Sequence, residues 1–318
     1  MNVRRRLISA AAAATVTALG IATLTACGGD ATAAGTGRFD VVASFYPMAF
    51  LADRIGGNHV HVTSLTSPGQ EPHDLEISPK QIIGIEKSDA VLYLKNLQPS
   101  VDAAVAQSSV GTKIDAASLT TLEQHGNEVG GHAASHDTSK NEEASGLDPH
   151  IWLDPVRYAQ VAEGVGKAFE KADPEHAADY RKNTAALVEQ LDALDTAFKD
   201  GLAHTRTKVF ITTHAAFGYL AERYGLTEEA INGLDPESEP SAARVKDLET
   251  MARADGVSTV FYETLVSDKT AKTIAADAGL RTDVLDPIEG ITGTSRGKDY
   301  FAVQQANLKA LRTALGAK

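Results

Sequence analysis

Apolar positions recur along this chain in two rhythms, a period of two in short runs and a period of three to four in longer ones. Val41-Val42-Ala43 reads as a strand, and Pro47 opens a helical stretch that stops near Gly56-Gly57. Residues 59–65 (HVHVTSL) alternate as a half-buried strand does and lead into the loop 66–74. A helix over about 78–87, a strand over 90–94, a short helix and a strand over 113–116 follow. The second half alternates in the same way, with strand 208–212, helix 215–224 stopped by Gly225, helix 241–254, strand 257–262, helix 268–278, strand 282–285 and a last helix 300–315. Strands separated by helices of this length imply right-handed βαβ units and a parallel sheet in each half.

Between the halves lies the most helical stretch. Asp173-Pro174 is a cap and first-turn pair, and Tyr180, Thr184, Leu187, Leu191, Leu194, Phe198 and Leu202 then recur at intervals of three and four. Such a helix makes a rod of roughly 40 Å, about the size of the molecule, which cannot flex as a loop does. The expected architecture is α/β. An N-terminal lobe (39–172) and a C-terminal lobe (204–318) are held at a fixed angle by a linking helix (173–203), with a cleft between their strand ends.

Composition sets the compartment. Arg4, Arg5 and Arg6 precede an uncharged run, 7–26, which ends in Leu24-Thr25-Ala26-Cys27. This reads as a secretory leader (1–26) with a lipobox, cleaved so that Cys27 becomes the lipidated first residue. An uncharged run of about 20 residues could also anchor in a bilayer. Its weak hydropathy and the small residues before Cys27 favour cleavage; the arginine triplet leaves the twin-arginine export route open. Residues 27–38 are small and polar, a tether between lipid and domain. Cys27 is the one cysteine, so the mature domain has neither disulfides nor thiolate metal ligands. Loss of the leader takes the net charge from -12 to -15, which argues against nucleic acid as a partner.

The chemistry lies in three distant histidines, His73, His150 and His214, separated by 77 and 64 residues. No single helix or hairpin can present them together. His73 and His214 follow strand ends, where ligands bind in parallel α/β sheets, and converging imidazoles hold divalent transition metals. Glu263, Asp286 and Glu289 fall at strand ends of the second half and supply carboxylates to the same rim. Glu263 suits either a partner that orients an imidazole or a plain rim carboxylate. No His-Glu-x-x-His helix, Gly-x-Ser-x-Gly elbow or phosphate-binding glycine loop is present, so an enzyme is not expected.

Three segments carry a resemblance: Pro72-His73-Asp74-Leu75-Glu76 with Ser78-Pro79, Asp148-Pro149-His150-Ile151-Trp152-Leu153-Asp154-Pro155, and Thr213-His214-Ala215-Ala216-Phe217-Gly218-Tyr219-Leu220. They resemble, in order, the metal-binding motifs of cluster A-I solute-binding proteins, the zinc and manganese receptors of ABC importers, from about Phe39 to the C-terminus. The resemblance implies one metal in the interlobe cleft, with His73 and His150 from the first lobe side and His214 from the second. It implies a fourth ligand that is water or a carboxylate from a late loop, where Leu285-Asp286-Pro287-Ile288-Glu289-Gly290-Ile291-Thr292 looks like the variant in which the Glu ligates. Glu289 is chosen over Asp286. Three imidazoles and a carboxylate suit tetrahedral Zn²⁺, whereas Mn²⁺ prefers more oxygen donors. The implied function is capture of Zn²⁺ at the outer face of the cell membrane and delivery to an ABC permease and its ATPase, by a lipid-anchored monomer. A manganese or iron receptor, a zinc-dependent hydrolase and a surface adhesin are the alternatives.

The remaining histidines have plainer readings. His59 and His61 share a strand face, and His176 and His204 lie solvated near the ends of the central helix. His125, His132 and His136 fall in the Gly-, Ser- and acid-rich segment 123–146, whose composition fits a disordered surface loop. Zinc receptors of the resembling family often carry a His-rich insertion here, which implies a loop that samples zinc.

Overall fold

A computed structural model describes residues 37–126, 128–129 and 146–318. The leader, Cys27, most of the tether, His132 and His136 lie outside the described residues. Strand β1 (Phe39–Ala43), helix α1 (Tyr46–Gly56), β2 (Val60–Ser64), α2 (Pro79–Lys87), β3 (Ala90–Tyr93), α3 (Pro99–Gln107) and β4 (Thr112–Asp115) form the first lobe. Its four strands lie in the order β2-β1-β3-β4, all parallel. The loop that carries His73 is closed by a capping box at the start of α2: Ser78 accepts from the Gln81 amide, and the Gln81 side chain accepts from Ser78 N.

After β5 (Glu128–Val129) come α4 (Pro155–Ala172), α5 (Ala177–Leu202), β6 (Val209–Thr212), α6 (Gly218–Tyr224), β7 (Thr227–Ala230), α7 (Ala242–Ala254), β8 (Thr259–Tyr262), α8 (Lys269–Ala278), β9 (Arg281–Val284) and α9 (Tyr300–Leu315). The second sheet runs β5-β7-β6-β8-β9, parallel but for the edge strand β5, which pairs antiparallel with β7. The segment expected to be a surface loop therefore begins as part of the second sheet.

The linking helix is α5, 26 residues long. It starts later than the cap at Asp173 suggests, because residues 174–176 form a separate 3₁₀ turn. Its expected apolar face is the buried one, with Asp195 added to it. α4, which the sequence pattern did not single out, packs along α5; a Cβ on Gly166 would come within 2.3 Å of Thr184 Oγ1, so only glycine permits this approach. One apolar core runs from Val41 and Phe45 through Trp152, Leu191 and Phe198 to Phe210, Leu285 and Leu311, and so ties both sheets to the helix. Among the described residues no helix is long and apolar enough to cross a membrane.

Candidate metal centre

Four loops bring polar side chains into this otherwise apolar junction. His73 follows β2, His214 follows β6 and Glu289 follows β9, while His150 opens the 3₁₀ turn 151–153 ahead of α4. The three Nε2 atoms face one oxygen. Glu289 Oε1 lies 3.2 Å from His73, 3.5 Å from His150 and 3.6 Å from His214. One ligand atom from each of the four residues falls within 4.8 Å of the others. His150, His214 and Glu289 are buried and His73 is partly exposed.

The far side of each buried ring is fixed. His150 Nδ1 lies 2.7 Å from Asp148 Oδ1, and His214 Nδ1 lies 2.9 Å from Glu263 Oε1, which also accepts from Thr213 Oγ1. A ring that donates its Nδ1–H presents a lone pair at Nε2 in its neutral form, the state a metal takes. Glu263 thus orients an imidazole rather than lining the rim. His150 Nε2, His214 Nε2 and Glu289 Oε2 are buried without any hydrogen-bond partner. Buried polar atoms are rarely left so, and three imidazoles with a carboxylate are the donor set of tetrahedral zinc.

Charge is balanced in the same way. Burial alone would lower the His150 and His214 pKa values, but Asp148 and Glu263 outweigh it and hold both rings above the usual imidazole range. Burial would raise Glu289, yet the imidazoles, His73 foremost, hold it well below the usual carboxylate range. Glu71, two residues before His73, is pushed up to about 9 by burial and by the nearby Glu289 carboxylate.

Asp286 has a different task from Glu289. Its Oδ1 accepts from Ile288 N at 2.8 Å, its Oδ2 accepts from Thr264 Oγ1, and its backbone exchanges two hydrogen bonds with the Asn307 side chain. These bonds brace Ile288, a β-branched residue at φ 60, a conformation that costs on the order of 1–3 kcal/mol. The held turn aims Glu289 at the imidazoles.

Three supports were not anticipated from the sequence. His125 is buried: its Nδ1 lies 2.7 Å from Asp148 Oδ2, so one carboxylate bridges His125 and His150. Its ring packs on Tyr219 in the space that Gly218 leaves open. Glu228 is fully buried on β7 and accepts from Thr212 Oγ1 and Phe217 N, on either side of His214. Trp152 ties the His150 loop to the Glu289 loop through the Pro287 carbonyl. The signal available beforehand was the Asp148-x-His150 spacing, with an acid two residues from a candidate ligand. His59, His61, His176 and His204 stand apart from the four-residue cluster, with His59 and His176 stacked at 4.0 Å.

Two parallel-sheet lobes on a rigid helix, with three imidazoles and a carboxylate converging between them, define a two-lobed solute-binding receptor. Residues 41–314 match the family model described as "Zinc-uptake complex component A periplasmic". The chain belongs to this family. It is 35% identical over 282 residues to the zinc-binding lipoprotein AdcA of Streptococcus pneumoniae serotype 4, across 87% of this chain and 56% of that protein. The chain thus spans little more than half the length of that relative. It is 31% identical over 308 residues to the high-affinity zinc uptake system protein ZnuA of Bacillus subtilis, across 92% and 94% of the two chains. The crystal structure of the Zn(II)-bound ZnuA-like domain of Streptococcus pneumoniae AdcA superimposes with a TM-score of 0.72 at 32% identity, covering 88% of this chain and 99% of that domain. Membership of this family agrees with a receptor rather than an enzyme.

Proposed function

We propose that this protein is an extracytoplasmic receptor that captures Zn²⁺ in the interlobe cleft and delivers it to an ABC permease powered by its ATPase. The observation that carries this reading is the meeting of His73, His150 and His214 Nε2 on a single oxygen of Glu289, within 3.6 Å. The zinc named for the relatives supports the choice of ion. In this reading residues 39–172 and 204–318 are the lobes and residues 173–203 the bar between them. Cys27 carries the lipid that holds the protein at the outer face of the membrane, with residues 27–38 as its tether, and the receptor works as a monomer.

The chain's own residues account for capture. Asp148 and Glu263 set the tautomers of His150 and His214, so both rings offer Nε2 without rearrangement. Glu289, already anionic, neutralises part of the ion's charge, and the surrounding core excludes water. Four protein ligands leave no open position for an activated water, so the ion is stored as cargo. Metal analysis of the purified protein beside His73→Ala, His150→Ala and His214→Ala tests the reading. One zinc per chain, lost in each variant, is expected; full binding in all three overturns it.

A further inference from the structure

A second group of acids adjoins the histidine cluster. One oxygen each from Glu71, Glu263 and Glu289 lies within 4.8 Å of the others. Each carboxylate has one oxygen engaged. Glu71 Oε1 accepts from His73 N at 3.0 Å, Glu263 Oε1 accepts from Thr213 and faces His214, and Glu289 Oε1 faces the three imidazoles. The other oxygen, Oε2 in all three, is buried and has no hydrogen-bond partner. Glu263 and Glu289 are 3% and 1% exposed, so two of these oxygens belong to side chains almost wholly removed from water. Among the described residues their ion-pair partners are imidazoles, and no Lys or Arg reaches them.

Three close carboxyl groups, each with a bare buried oxygen, are costly to leave without a partner. We propose that Glu71, Glu263 and Glu289 form a second, all-oxygen cation position beside the histidine site, through which a divalent ion enters and leaves. This step rests on the zinc-receptor reading and adds a path to it.

Glu71 and His73 are the partly exposed members of the two groups, so solvent meets them first. A hydrated ion keeps high coordination among oxygen donors, which the carboxylates provide while part of its water remains. Glu289 belongs to both sets. It keeps hold of the ion while the imidazoles of His73, His150 and His214 replace Glu71 and the last waters, and on release the order reverses. The ion is never without a protein ligand during the exchange.

Glu71→Gln separates this role from structure, because the amide oxygen can still accept from His73 N while an NH₂ group, which cannot ligate a cation, takes the place of the bare Oε2. With the full-length chain, zinc loading and zinc transfer to a coloured chelator are followed by stopped flow, and X-ray absorption reads the shell of the bound ion. The expected result is one zinc with an unchanged three-imidazole shell, and loading and release both slowed by about tenfold, the scale of losing a group that supports a metal site. Glu71→Asp, which restores a carboxyl group with two oxygens, should recover much of both rates. Unchanged rates in zinc-loaded Glu71→Gln overturn the relay, as does loss of zinc from that variant, which would make Glu71 a permanent ligand. A wild-type chain that takes up no zinc overturns the receptor reading itself.

Discussion

The indole Nε1 of Trp152 donates a 2.6 Å hydrogen bond to the carbonyl of Pro287. The residue two places after His150 thus holds the peptide two places before Glu289, and two loops of the cluster 135 residues apart are tied together. Tyr300 OH, at the start of α9, donates to Trp152 O at 2.6 Å and closes the clamp.

Trp152→Phe keeps most of the apolar bulk but leaves the Pro287 carbonyl without its donor. The variant should lose about 1–3 kcal/mol of stability, the scale of an unsatisfied buried acceptor. Its zinc affinity should fall about tenfold, as for other supports of metal ligands. Thermal melts of the metal-free protein and competition titrations read the two effects separately. An unaltered affinity would show that the Glu289 loop holds its shape without the indole.

Asp148→Asn and Glu263→Gln remove the charges behind His150 and His214. Each should weaken zinc binding about 10–100-fold while one zinc per chain still binds at saturation. His125→Ala leaves Asp148 Oδ1 on His150 and removes only the second partner of that carboxylate, so its effect should be smaller than that of Asp148→Asn. Competition titrations of the three variants rank these losses, and an equal loss for His125→Ala and Asp148→Asn would contradict the ranking.

Zinc bound by His150 and His214, as proposed, would have to displace protons from these rings. His150 and His214 are raised above the usual 6.5, so both hold their protons to higher pH than a free imidazole does. Affinity should therefore climb with pH through and beyond that value, with up to about two protons released per zinc from these two rings. Glu289, held low, adds none above the usual carboxylate range. Calorimetry in buffers of different ionisation enthalpy counts the protons; a release of none between about pH 6 and 8 would rule out the charged rings.

Glu228 gives a stability signature. Burial raises its pKa from 4.5 to about 7, so the folded chain keeps a proton that the unfolded chain has lost. The contribution is fully present below 4.5 and is lost as pH rises to about 7. Over that window the wild type should lose up to about 3 kcal/mol from this group, and Glu228→Gln should not. Denaturation curves across the window test the difference, and parallel pH profiles for the two proteins would discount it.

Much of the architecture is legible in local pattern. Strands such as Ala90–Tyr93 and Val209–Thr212 are largely apolar, and the buried face of α5 is the period of three to four read along 180–202. β7 escapes that reading because Thr227–Ala230 puts two adjacent glutamates in a wholly buried strand. Glu228 is held there by donors from Thr212 and Phe217, and the Arg244 guanidinium lies 2.9 Å from Glu229. His125 escapes it because its neighbours in 123–146 are solvating residues, whereas its own setting comes from Asp148 and Tyr219.

The sequence by itself determined most of the elements, the long helix and which loops carry imidazoles and acids, since side-chain periodicity and capping are properties of neighbouring residues. Only the tertiary structure decided that Glu289 rather than Asp286 turns toward the histidines, and that Glu71 and Glu263 stand beside it. Those choices depend on a strained turn at Ile288, an indole from another loop and strand orders that bring residues 216 positions apart to within 3.2 Å. Burial of a polar group is set by whatever packs around it, and that is known only when the chain has closed on itself.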